Sequence, residues 1–139
     1  MANPGPAVTT TSHPQVAGTN QTLRLLASYQ SVNCNVVADT VLPIINTSSY
    51  SISNVIFTNA STSLSTAAAG LFTAPSAGGT GIVANAALSA LTTASVVSQR
   101  TVASTAAQTG QNLYFNVATA QGAAATCDVF VYGYDLTFN

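Results

Sequence analysis

Between Tyr50 and Val83 the chain alternates strand-like runs with breaks, and this stretch limits the fold more than any other. Tyr50 to Asn59 is rich in β-branched and aromatic residues. Ala60 to Gly70 is a corner of small residues. Leu71 to Ala74 is a second apolar run, Pro75 to Gly81 a Pro/Gly-rich turn, and a third run starts at Ile82. Strand, corner, strand, turn, strand is the pattern of a compact all-β unit. The rest of the chain supplies more short runs, with turn signals roughly every ten residues. The expected fold is therefore all-β, a β-sandwich or jelly roll, with no repeat period that would suggest a solenoid.

The remaining strand candidates are Thr22 to Ala27, Ser31 to Ala38, Val41 to Ile45, Val96 to Val102, Leu113 to Ala118 and Thr126 to Phe138. Asp39-Thr40 reads as a turn. Pro43 cannot donate to a ladder, which assigns its strand to an edge or a bulge. In Tyr50 to Asn59, simple alternation puts Tyr50, Ile52 and Ile56 on one face and Val55 and Phe57 on the other. Both faces are apolar, so one is expected to meet the opposing sheet and the other a neighbouring subunit. Ala84, Leu88, Leu91 and Ala94 fit a helical period in an alanine-rich segment, so one short helix is expected over Ala84 to Leu91. In the long last strand, Phe130, Tyr132, Tyr134, Leu136 and Phe138 share a face opposite Cys127, Val129 and Val131. Gly133 marks a bulge or a close neighbour. That aromatic face is either core or interface.

Residues 1–21 contain Pro4, Pro6, Pro14 and a Ser/Thr cluster, Thr9, Thr10 and Thr11 among them, without an apolar period. They read as an N-terminal arm, either a strap that orders against a partner or a loose terminus, ahead of a β-sandwich domain over 22–139. The arm has neither a basic start nor an apolar core, so it is not expected to be a signal peptide.

Charge is the unusual part of the composition. Of 139 residues only Arg24, Asp39, Arg100, Asp128 and Asp135 are charged, 4% of the chain, with no Lys and no Glu. An ordinary soluble domain carries about 25%. A net charge of −1 gives little mutual repulsion, and proteins near neutrality tend to associate. Two arginines offer too little for a phosphate backbone, so nucleic acid is not an expected partner. No apolar run approaches the ~20 residues of a spanning helix, so neither is a membrane.

The same inventory argues against catalysis. On a regular strand Asp128 and Asp135 face opposite sides, roughly 23 Å apart, whereas a glycosidase pair needs about 5–10 Å. The carboxylates are expected as turn caps and strand-end charges. His13, the one histidine, lies in the arm and has no held partner for a triad. One His and two distant Cys make no zinc set. Gly79-Thr80-Gly81-Ile82-Val83-Ala84 matches a loose dinucleotide pattern, but no acidic residue lies between Asp39 and Asp128, where one some 20 positions on would hold a ribose. The chain is read as not an enzyme, without cofactor, metal or small-molecule substrate. Cys34 and Cys127 are either two small buried hydrophobes or a cross-sheet bridge.

From Val41 to Leu136 the sequence resembles small tailed-phage virion proteins, the capsid decoration (cement) and head-fibre-like proteins. The resemblance is carried by the order and spacing of V-L-P-I-I (Val41 to Ile45), Y-S-I-S-N-V-I-F-T-N-A-S (Tyr50 to Ser61) and T-A-A-A-G-L-F-T-A (Thr66 to Ala74). It continues through G-G-T-G-I-V (Gly78 to Val83), A-L-T-T-A (Ala90 to Ala94), N-L-Y-F-N-V (Asn112 to Val117) and D-V-F-V-Y-G-Y-D-L (Asp128 to Leu136). It implies a trimer of β-sandwich subunits on the outside of an icosahedral shell, bound to itself and to the major capsid protein, with the arm making much of the contact. It carries over no catalytic residue. The expected function is structural: a homotrimeric decoration protein made in the host cytoplasm and located on the virion surface. Pro4, Pro6, Thr9, Thr10, Thr11, Tyr50, Ile52, Phe130, Tyr132, Tyr134 and Phe138 are its candidate contacts. The alternative is a fibre or tail knob that binds a host-surface glycan.

Overall fold

A computed structural model describes residues 23–137, and these form eight strands and no helix. They are β1 (Arg24–Asn33), β2 (Asp39–Pro43), β3 (Tyr50–Thr58), β4 (Ala68–Ala74), β5 (Gly78–Ala87), β6 (Val97–Arg100), β7 (Asn112–Thr119) and β8 (Thr126–Asp135). Sheet A has the order β1-β8-β3-β6 and sheet B the order β2-β7-β4-β5. All pairs are antiparallel. β4 and β5 form a tight hairpin. Outward from it β3 pairs with β6, β2 with β7, and β1 with β8, alternately in the two sheets. This is one long ribbon rolled into two layers, the jelly-roll arrangement.

Alternation fills the space between the layers. Leu26, Ala27, Val55, Phe57, Val129 and Val131 from sheet A meet Leu42, Leu71, Ile82, Leu113, Phe115 and Val117 from sheet B, all buried. Phe57 and Phe115 touch across the interlayer at 5.2 Å between centroids and 76° between planes, an edge-to-face pair. Such a pair contributes about 1 kcal/mol beyond its area burial. Leu64, Leu88 and Leu91 close one side of the core from the loops. Tyr50 is buried too, and its hydroxyl donates to the Gly110 carbonyl at 2.7 Å. Burial pushes its pKa up to about 12.

Several sequence expectations are corrected. The helix over Ala84 to Leu91 does not form. Ala84 to Ala87 complete β5, where Ala86 and Ala87 pair with Ala69 and Ala68. Pairing against β4 outweighs the helix preference of alanine. The Leu88/Leu91 spacing comes from a turn, closed by the Leu91 N–H on the Leu88 carbonyl at 2.8 Å. Asp39 and Thr40 belong to β2 rather than to a turn. The two segments expected over Thr22 to Ala38 are one strand ending at Asn33, irregular near Ser31. In β3 the register against β8 shifts between Ile52 and Asn54. One extra residue there reverses the alternation, so Tyr50, Ile52, Val55 and Phe57 all point inward and Ile56 outward.

Other expectations hold. β2, with Pro43, is the edge of sheet B. Gly133 is a point of close approach, because an added Cβ would run into the Ser51 carbonyl and lie 2.6 Å from Leu26 Cδ1. Gly133→Ala is expected to cost about 3 kcal/mol, checked by chemical denaturation, because backbone rather than a flexible side chain blocks the methyl. The β4–β5 hairpin carries Ser76 and Ala77, both at φ 56°, where a type I′ turn favours Asn-Gly. The double change Ser76→Asn/Ala77→Gly is expected to raise stability by about 1 kcal/mol in the same assay.

Candidate functional site: an uncharged interaction face

Register fixes what the outer face of sheet A presents. Across it run the rows Ser28–Phe130–Ile56–Gln99 and Leu25–Tyr132–Asn54, flanked by Tyr134–Ser51 and Asp128–Thr58–Val97. Phe130 and Tyr132 stand on β8, an inner strand of the sheet, with Ile56 and Leu25 beside them on β3 and β1. These four are half-buried. Tyr134 is 43% exposed and Val97 60%. Apolar and aromatic surface therefore runs across all four strands of the sheet. Of the expected contacts, Phe130, Tyr132 and Tyr134 lie on this face. Tyr50 and Ile52 do not: they are core residues with at most 1% exposure, and their role as contacts is corrected. Pro4, Pro6, Thr9, Thr10, Thr11 and Phe138 lie outside the described residues. Leu25, Ile56 and Val97 were missed. For Ile56 the cause is the irregularity in β3, marked in the sequence only by the polar pair Ser53-Asn54.

The aromatic rows of the face carry no charge: the one carboxylate at their flank, Asp128, is buried and held within the fold, and the other ionic side chains are engaged away from the face. Asp128 accepts the Ser31 N–H at 2.8 Å and the Asn59 side-chain amide at 3.0 Å. Asp39 accepts the Ser76 N–H at 2.7 Å and the Asn116 amide at 2.8 Å. Asp135 accepts the Thr47 hydroxyl at 2.7 Å and the Thr137 N–H at 2.9 Å, and pairs with Arg24 at 3.7 Å. Arg24 also donates to the Ile45 and Asn46 carbonyls. Arg100, on the edge strand β6, lies 5.5 Å over the Phe57 ring and donates to the Ala87 carbonyl. The carboxylates are thus the turn caps and strand-end charges that the sequence suggested.

Two shallow clefts adjoin Arg100. One, of about 310 Å³, is lined by Val83, Ala84, Gln99 and Thr101. The other, of about 460 Å³, is lined by Ser53, Gln99, Thr101, Val102 and Thr105. Neither lining brings a carboxylate, thiol or imidazole to the guanidinium. Among the described residues no group of three or more His, Cys, Asp or Glu is placed to hold a metal ion. No helix of the described residues is long and apolar enough to cross a membrane.

Burial opposes ionisation of Asp135, but the Thr137 N–H, the Thr47 and Thr137 hydroxyls and Arg24 outweigh it and hold its carboxyl below the usual range. A lowered carboxylate pKa adds stability above the unfolded value of 3.8, and that stability is lost as pH falls through the folded value. Melting temperature is therefore expected to fall below about pH 4. Asp135→Asn should lose about 2 kcal/mol at pH 7 and flatten that acid limb, as scanning calorimetry across pH would register. Compared with protein-family models, curated proteins and solved structures, the chain matches none.

Proposed function

We propose that the chain is a structural virion protein, a homotrimeric decoration (cement) protein bound to the outer surface of a tailed-phage head. The observation that carries this reading is the uncharged aromatic face of sheet A, on a molecule whose five ionic groups are all engaged in its own fold. Depletion of charge and enrichment in Phe and Tyr are the marks of an interface centre. Association covers such a face, whereas a free monomer leaves it in water with little net charge to prevent aggregation. Copies of the chain are its first partners and the major capsid protein its second. The resemblance of Val41 to Leu136 to decoration proteins agrees with this.

The mechanism is mass action. A subunit that binds only the assembled, expanded shell stabilises that state in proportion to its occupancy. Neither a catalytic group nor a cofactor is required. Tyr134 and Tyr29, 43% and 42% exposed, favour a second reading, a fibre or tail knob on which sugar rings stack. Location on the particle separates the two, shell lattice or tail tip.

Sedimentation at micromolar concentration is expected to give the mass of a trimer. The outer-face pair Phe130→Ser/Tyr134→Ser should shift it toward monomer while the far-ultraviolet spectrum stays that of a β-protein. Capsids carrying the protein should retain DNA under heat or chelator better than capsids without it. Equal retention, or a wild-type monomer that ignores capsids, would sink the proposal.

A further inference from the structure

Cys34 and Cys127 are the chain's two cysteines, and the fold brings them together. Cys34 follows the end of β1, and Cys127 is the second residue of β8. Both backbones are held. Val32 pairs with Cys127, the Cys34 N–H donates to the Ala125 carbonyl at 2.9 Å, and the Gln121 N–H donates to the Cys34 carbonyl at 2.9 Å. The two Sγ atoms lie 3.4 Å apart, and both residues are fully buried free thiols. Cys34 lies just beyond β1 beside β8, its partner in the same sheet, so the pair does not bridge the two sheets. A disulfide needs about 2.05 Å between sulfurs, and rotation about the two χ1 bonds can supply the remaining approach of about 1.4 Å without separating the strands.

We infer that Cys34 and Cys127 form a redox site, a dithiol that closes to an intrachain disulfide with a small-molecule disulfide such as oxidised glutathione as the oxidant. The hydrogen bond between the two thiols lowers the Cys34 pKa against the opposing effect of burial, whereas the same bond and burial raise that of Cys127. Either cysteine can attack first, and both orders give the same disulfide. A Cys34 thiolate displaces one glutathione thiolate and forms a mixed disulfide. Cys127 gives up its proton to solvent or to the departing thiolate and attacks Cys34 Sγ, which releases the second glutathione. Two protein thiols are oxidised and one glutathione disulfide is reduced to two glutathione molecules. The oxidant reaches the buried pair by local opening of the segments at 34–38 and 120–125, an event far smaller than global unfolding.

The bond ties β1, an edge strand of sheet A, to β8 inside the sheet. It closes a loop across a sequence separation of 93 residues. Long loops gain most from closure. The dithiol is the form expected in a reducing cytoplasm and the disulfide the form expected outside the cell. The site does not depend on the virion reading, since any chain with this geometry would oxidise in the same way.

The test uses the full chain, reduced, denatured and refolded at graded ratios of reduced to oxidised glutathione, then trapped by alkylation. Refolding removes burial as an obstacle to access. With Arg24 and Arg100 as the only tryptic sites, digestion places Cys34 in fragment 25–100 and Cys127 in fragment 101–139. In oxidising buffer the two fragments should run as one species that separates on reduction. The oxidised chain should melt roughly 10 °C higher than the reduced one. Cys34→Ser should abolish both effects. Two alkylatable thiols after oxidative refolding, glutathione adducts without a cross-link, or a cross-link that lowers the melting temperature would each overturn the inference.

Discussion

The edge-to-face contact of Phe57 with Phe115 joins the two sheets near their middle, and the rest of the molecule depends on the burial centred there. With a single ion pair among the described residues, cohesion must come from apolar area and backbone hydrogen bonds. Full burial of a side chain such as Phe57, Phe115 or Leu71 contributes about 1.5–3 kcal/mol, and the rolled ribbon lets every strand add to one layer. Arg100 shows how closely ionic and apolar roles are joined. An inward-pointing cation on an edge strand discourages pairing with a foreign strand. Here its charge rests on the Phe57 ring, so protection of the β6 edge and the interlayer contact share one side chain.

Three of the five charged residues, Arg24, Asp39 and Asp128, share one feature of placement. Each non-glycine residue with positive φ among those described, Ser31, Asn46, Asn59, Ser76 and Ala77, lies at or beside a group held by an ionic side chain. Asp128 holds the Ser31 N–H and the Asn59 amide, Asp39 the Ser76 N–H next to Ala77, and Arg24 the Asn46 carbonyl. Left-handed backbone is unfavourable for L-residues with a Cβ, and charge-assisted hydrogen bonds are roughly twice as strong as neutral ones. These three ionic groups therefore support the chain where the ribbon turns or bulges and regular pairing gives least support.

This placement explains what was legible in the sequence. Alternation in Tyr50 to Thr58 and Thr126 to Asp135 and the edge position of Pro43 follow from local rules, and so does the carboxylates' use as caps. The irregularity at Ser53 does not. It lies opposite Gly133 of β8, which packs close to the Ser51 carbonyl, a contact between residues far apart in sequence, and it decides that Tyr50 and Ile52 are core while Ile56 is surface. Ala84 to Ala87 failed as a helix for a similar reason, since their partners in β4 are set by the hairpin rather than by alanine. The proximity of Cys34 to Cys127 arises only when the first strand meets the last.

An outer face composed this way has a definite electrostatic character. Association between charged surfaces weakens with salt, because ions screen the attraction within about 10 Å at 0.1 M. A contact made through Leu25, Ile56, Phe130, Tyr132 and Tyr134 has no ionic attraction to lose, and salts that strengthen apolar burial strengthen it. Nor does it gain long-range steering, so encounter is slow and specificity rests on shape and on the tyrosine hydroxyls. Those properties suit a surface that meets the same partner many times on a lattice, where local concentration replaces attraction at a distance. They suit poorly a surface that must find one dilute partner in a crowded, highly charged medium.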